Sequence, residues 1–233
     1  MRGIKAPGMD WACKKPEDML TKEEVLQVID ACTNSRDKAI ISMLYDASAR
    51  PVDLGELRWT DVIFDEFGAL FHTSSKTGKE RTIHLTHFSV PYLAQWNQDY
   101  PGTPEGVSPV FVTHRIYEAG GGAHLPFEHT AFLRFVRSLR KKTGISKLKP
   151  SILRSTRITH DVADGYDTAF LMKKNWGTLK TNMLEIYAKT DEDFTTRYAL
   201  EKSDIELPQQ IRERSKVFDP IICTACSTIN PPG

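Results

Sequence analysis

A chain of 233 residues, 40% hydrophobic and 26% charged, can bury a core as one large domain, and no apolar run approaches the roughly 20 residues a bilayer demands. Thirty-one Lys and Arg against 30 Asp and Glu leave a formal charge of +1, which excludes a uniformly basic nucleic-acid binder and makes any polyanion-binding surface local. The four cysteines, Cys13, Cys32, Cys223 and Cys226, with no secretory leader pattern, read as thiols of a reduced, cytoplasmic protein rather than as a disulfide scaffold.

Residues 1–20 hold two Pro and two Gly without sustained periodicity and read as a linker, or as the tail of a preceding domain. Order is expected from Thr21, where Thr21 and Glu24 form a capping box and Val25, Ile29 and Cys32 follow at helical spacing. A second helix starts after Ser35, runs through Ala39, Ile40, Met43 and Leu44, and stops among the small residues Ala47 to Ala49; Pro51 opens a further helical turn through Leu57. Short β-favouring runs at 62–64, 70–72 and 82–85 predict a three-stranded antiparallel meander. Helical spacing returns over 88–96. The next segment, 101–127, carries five Gly and four Pro and reads as loop with one extended stretch at 110–112; so long a loop asks for a functional reason. Ala131, Phe132, Phe135, Val136 and Leu139 form one face of a helix that Gly144 ends. Further helices are expected at about 153–164, 168–174 and 180–188, with a polar, acidic one at about 191–202. The fold class is therefore mainly α with a small three-stranded antiparallel β-sheet.

Charge is distributed unevenly. Residues 129–160 contain nine cations, Arg134, Arg137, Arg140, Lys141, Lys142, Lys147, Lys149, Arg154 and Arg157, and no Asp or Glu. A solvated helix face is the ordinary explanation for such a run, but the lack of any acidic neighbour in the sequence points to a face that neutralises phosphates.

Four stretches carry chemistry. Ala49-Arg50-Pro51-Val52-Asp53-Leu54-Gly55-Glu56-Leu57-Arg58-Trp59 places an arginine at a helix start; Ser75-Lys76-Thr77-Gly78-Lys79-Glu80-Arg81 is a hairpin turn around a lysine; Ser151-Ile152-Leu153-Arg154 opens a helix; and Trp176 precedes Tyr187 by eleven residues. In that order, over about residues 20–205, they resemble the catalytic domain of the tyrosine recombinases, the phage- and archaeal-type integrases. The resemblance implies a catalytic domain over 21–206, Arg50 and Arg154 as the two catalytic arginines, Lys76 as the hairpin lysine, Trp176 in the position that takes His or Trp, and Tyr187 as nucleophile. It departs at Ser151, which stands where histidine is usual. A serine can hydrogen-bond a phosphate oxygen but cannot exchange a proton near neutral pH as imidazole does. His160 is not a natural substitute, because six residues beyond Arg154 it lies roughly 120° around the helix.

The chemistry implied by the resemblance is consistent with these residue types. Arg forks stabilise the charge that develops on a phosphorane-like transition state, a cationic pocket favours the phenolate of a tyrosine whose ordinary pKa is about 10, and a flexible lysine can protonate the leaving 5′ oxygen. The resulting 3′-phosphotyrosine conserves bond energy, so neither metal, ATP nor another cofactor is implied. The implied partners are double-stranded DNA attachment sites and three further copies in a homo-tetramer, with a monomer as the DNA-free state, and no membrane. Two alternatives stay open: a related fold that holds DNA without cutting it, and a type IB topoisomerase-like relaxation of DNA. At the far end, Cys223-Thr224-Ala225-Cys226 in a tail over 207–233 is similar to one half of a zinc ribbon; two thiolates do not close a tetrahedral site, so no metal is expected there unless two chains share it.

Overall fold

The computed structural model describes residues 15–74, 80–86, 88–117, 123–188, 198–200, 203, 218, 221–224 and 229–232. Helices α1 (Lys22–Asp30), α2 (Ser35–Asp46) and the short α3 (Pro51–Gly55) lead into a meander of β1 (Val62–Asp65), β2 (Gly68–Ser74) and β3 (Glu80–Leu85). Then come α4 (Val90–Gln98), a hairpin of β4 (Val112–Tyr117) and β5 (Ala123–Pro126), and helices α5 (His129–Thr143), α6 (Pro150–Ala163), α7 (Thr168–Trp176) and α8 (Met183–Tyr187). A last two-stranded pair, β6 (Ile221–Ile222) and β7 (Ile229–Asn230), brackets the Cys-x-x-Cys segment. Among the described residues no helix is long and apolar enough to cross a membrane.

The mainly α architecture with one three-stranded antiparallel sheet, order β1-β2-β3, is as the sequence pattern predicts. Local chemistry explains the starts and stops. Thr21 Oγ1 accepts the Glu24 N–H at 3.1 Å while Glu24 Oε2 accepts the Thr21 N–H at 2.8 Å, and Asn34 Oδ1 accepts from the Asp37 N–H at 2.9 Å. Gly144 ends α5 in the left-handed region at φ +74°, where a side chain would be strained. The core centres on α2, which packs against α1, α3, α4 and α6; Ala39, Ile40, Ile41, Met43, Leu44 and Tyr45 are all fully buried.

One paired network of buried charges runs through this core. Asp46, wholly buried, accepts from the Thr86 N–H at 2.8 Å and the Ser89 hydroxyl at 2.6 Å and lies 3.2 Å from Arg157 Nη1. Arg157 also meets Asp161 at 2.7 Å, and Asp161 meets Lys174 at 3.0 Å. Burial opposes the charge on Arg157, but Asp46 and Asp161 outweigh it and hold this guanidinium more firmly protonated than usual.

Several expectations are corrected here. The segment 101–127 holds more strand than the one extended stretch expected: Val110, Phe111 and Val112 are buried, and β4 and β5 pair antiparallel with an irregular register between Val112 and Ile116. Trp96 Nε1 donates to the Val110 carbonyl at 2.8 Å and Arg36 Nη1 to that of Val112 at 2.9 Å, so side chains from distant helices fix a stretch with little periodicity of its own. Met19 and Leu20, placed in the linker by composition, are core residues, and the Leu20 N–H donates to Thr156 Oγ1 at 3.0 Å. The helix expected at 180–188 is confined to the last five of those positions before Ala188. Of the acidic helix expected at 191–202, only 198–200 lie within the described residues, and Cys13 and Cys226 lie outside them. Cys32 is a buried free thiol whose pKa burial pushes up to about 12; Cys223 is also free.

Candidate functional site

Arg154, on α6, is only 3% exposed yet is an arginine, so its location demands compensation. It finds it in two backbone carbonyls: Nη1 donates to Ser48 O, and Nη2 donates to Asn175 O at 2.9 Å. The guanidinium carbon also lies 5.7 Å from the Trp176 ring centroid and 5.5 Å from that of Tyr187, and those two rings meet edge-on at 5.8 Å. Among the described residues no carboxylate bonds it. Burial, with Arg50 and Arg81 adding repulsion, lowers its pKa to about 10, so it remains a cation at neutral pH but one poorly neutralised by its own protein. Its Nε and the Trp176 Nε1 are buried donors with no acceptor among the described residues.

Arg50 reaches the same place from another element. The chain leaves α2 through Ser48, whose φ of +48° is in the left-handed region, and this reversal delivers Arg50 to the N-cap of α3. Its backbone N–H donates to Asp53 Oδ2 at 3.0 Å while its side chain is exposed. Arg50, Ser151, Arg154 and Tyr187 then line one cavity of about 880 Å³. Its wall is apolar at Val52, Leu133 and Leu148 and its rim carries Arg137, Arg140, Lys149 and His129. Ser151 sits exposed in the first turn of α6, with Pro150 at the first helical position. Tyr187 ends α8 half-buried, and its carbonyl accepts from Thr159 Oγ1 at 3.3 Å. Trp176 is not on the cavity wall and instead backs Arg154. Lys76 lies outside the described residues.

The nine-cation run is not one unopposed face. Arg157 is ion-paired internally, Lys147 pairs with Glu24 at 2.8 Å, and Lys142 donates to the Ala31 carbonyl at 2.6 Å. Acids distant in sequence supply what the local run lacks. Arg137, Arg140 and Lys149 remain exposed, and these are the ones at the cavity. His160 is elsewhere: its Nδ1 is 2.7 Å from the Tyr45 hydroxyl, and burial, with Lys22 and Arg157, lowers its pKa to about 4.

Sequence reasoning passed over three contributors. Arg81 is buried; its Nη2 donates to Asp53 Oδ2 at 2.8 Å and its Nη1 to the Asn175 carbonyl at 2.8 Å, the same carbonyl that Arg154 holds. The signal for it was present, since β3 alternates and Arg81, Ile83 and Leu85 share its buried face. Asn175 and Ser48 act through main-chain oxygens, which residue type does not reveal.

Residues 18–193 match the Phage integrase family. Transposase A from transposon Tn554 of Staphylococcus aureus is 28% identical over 180 residues, covering 69% of this chain and 45% of that protein. The tyrosine recombinase XerA of Pyrococcus horikoshii is 27% identical over 187 residues, covering 80% of this chain and 61% of that protein. The chain thus spans about half the length of the relatives it matches. Among solved structures, a crystal structure of XerA recombinase superposes with a TM-score of 0.65 at 23% identity over 81% of this chain and 66% of the other. The Tn1549 transposon integrase in complex with circular intermediate DNA gives 0.58 at 18% identity, over 80% and 66% respectively. With three quarters of its length matched, and a fold shared with these structures, the chain belongs to the phage integrase family of tyrosine recombinases.

Proposed function

We propose that this chain is the catalytic part of a site-specific DNA recombinase that cleaves and rejoins DNA through Tyr187. The observation that carries the reading is the convergence of Arg50, Arg154 and the Tyr187 ring on one cavity, with Arg154 5.5 Å from that ring and buried donors left unpartnered. Arg50 and Arg154 hold the non-bridging oxygens of the scissile phosphate as their charge grows. The Tyr187 hydroxyl loses its proton to water, its oxygen attacks phosphorus, the bond to the 5′ oxygen breaks, and Lys76 gives that oxygen its proton. The exposed Arg137, Arg140 and Lys149 follow the DNA backbone. A 5′ hydroxyl from a second duplex then attacks the phosphotyrosine and releases the phenol, in a homo-tetramer on two DNA sites. The solved structure of the Tn1549 integrase on DNA supports double-stranded DNA as the partner class.

Ser151 favours one rival, a DNA holder that does not cut. A nicked suicide duplex carrying a candidate attachment site decides between them. A protein–DNA adduct that survives denaturant and vanishes in Tyr187→Phe is the expected outcome; a chain that binds the duplex but forms no adduct at any pH from 6 to 9 would be the non-cutting protein. Exchange between two cognate sites, without relaxation of unrelated plasmids, separates recombinase from topoisomerase.

A further inference from the structure

We infer that Arg81 is a positioning residue for this reaction: its two-armed guanidinium spans the Asp53 carboxylate and the Asn175 carbonyl, and so sets Arg50, Arg154 and Trp176 at a fixed mutual spacing. The inference rests on the recombinase reading above.

The geometry is specific. Asp53 Oδ2 takes the Arg50 main-chain N–H at 3.0 Å and Arg81 Nη2 at 2.8 Å, so one oxygen ties the start of α3 to β3. The other arm of Arg81 donates at 2.8 Å to Asn175 O, which Arg154 Nη2 meets at 2.9 Å and whose residue directly precedes Trp176. Three separate elements, α3, α6 and α7, are therefore referenced to one side chain on β3. Asn175 is itself pinned, with Nδ2 donating to the Leu171 carbonyl at 3.0 Å. A lysine has no planar fork and cannot serve two acceptors in these fixed directions with the same fidelity.

Arg81 also contributes charge. Arg50, Arg81 and Arg154 crowd together with Asp53 as the carboxylate among them, and burial followed by Arg50 repulsion works against the Arg81 charge while Asp53 supports it. Such an excess of positive charge costs folding energy, and it favours both a phenolate and a phosphate in the adjoining cavity. Arg81 is not on the cavity wall, so it acts through its neighbours and not on substrate.

Charge and scaffold make opposite forecasts, which gives a sharp test on the full chain. Adduct formation on the nicked duplex is followed in single turnover from pH 6 to 10, alongside duplex affinity. Arg81→Gln removes a cation: adduct formation slows by about 100-fold, with affinity within about threefold, and the alkaline midpoint of adduct formation moves up. Asp53→Asn removes an anion from the same bridge: the rate falls but the midpoint moves down. Arg81→Lys keeps the charge and loses the fork: the rate falls and the midpoint stays. If Arg81→Gln does not fold by circular dichroism, the Lys and Asn variants still carry the comparison. Midpoints that move together in Arg81→Gln and Asp53→Asn, or a loss of active fraction with rate and midpoint intact, would overturn the inference and leave Arg81 a plain structural bridge. No adduct from the unaltered protein would instead overturn the recombinase reading itself, and the inference with it.

Discussion

At the scale of single residues, the decisive choice is arginine at 154. Its guanidinium fills two carbonyls, lies beside two rings and is 3% exposed, so removing it takes that donor from the Ser48 oxygen and leaves the Asn175 oxygen to Arg81. Arg154→Ala is expected to lower stability by about 2–4 kcal/mol, read by urea unfolding, and to slow adduct formation by more than about 100-fold. Ser151 is the opposite case. It is exposed at the cavity, so its side chain can be enlarged without disturbing the core. Ser151→His should speed adduct formation by roughly 10- to 100-fold and introduce a rate dependence near pH 6.5. A rate and pH profile unchanged by that imidazole would mean position 151 does not face the reacting atoms. Arg50, Arg154 and Tyr187 were singled out by the family resemblance of four short stretches taken together, and the structure brings these three to one cavity. The roles of Ser48 and Asn175 were not, because a backbone carbonyl is common to every residue.

At the scale of elements, α2 and α6 are joined by charge as well as by packing. The Asp46, Arg157, Asp161 and Lys174 set is buried, and each member has a partner on another turn or element. Arg157→Met leaves Asp46 and Asp161 without their guanidinium, and a loss of about 3–5 kcal/mol is expected in denaturant unfolding. The charge run seen in the sequence could not distinguish this arginine from Arg137, since its acids lie on α2 and one turn further along α6. The capping box of α1 and the glycine stop of α5 were fully readable, being local. The β4–β5 hairpin was not: its order is imposed by Trp96 and Arg36 from α4 and α2.

At the scale of the molecule, stability should depend on acidity through His160. Its pKa falls from 6.5 to about 4 in the fold, chiefly through burial. Between these values the unfolded chain binds a proton that the folded one refuses, so stability is complete above about pH 6.5 and is lost as pH falls towards 4. The loss from this group is on the order of 3 kcal/mol, and His160→Phe should flatten that part of the curve in pH-dependent thermal melts. A wild-type curve without such a slope would mean the imidazole charges readily in place. DNA affinity should also fall with salt in proportion to the few exposed cations around the cavity, and Arg137→Gln should make the log–log slope shallower by about one.

Tyr187 and the helix beneath it are held very differently. Nine residues of α6 are buried, Arg154 among them, whereas none of the five in α8 is. Tyr187 is therefore a hinged striker over a rigid bed, and amide hydrogens across 183–187 should exchange orders of magnitude faster than those across 152–158. On the proposed reading, a phenol on so exposed a helix moves at lower energetic cost than the buried Arg154 guanidinium, and the timing of the cut would then be a property of one five-residue helix.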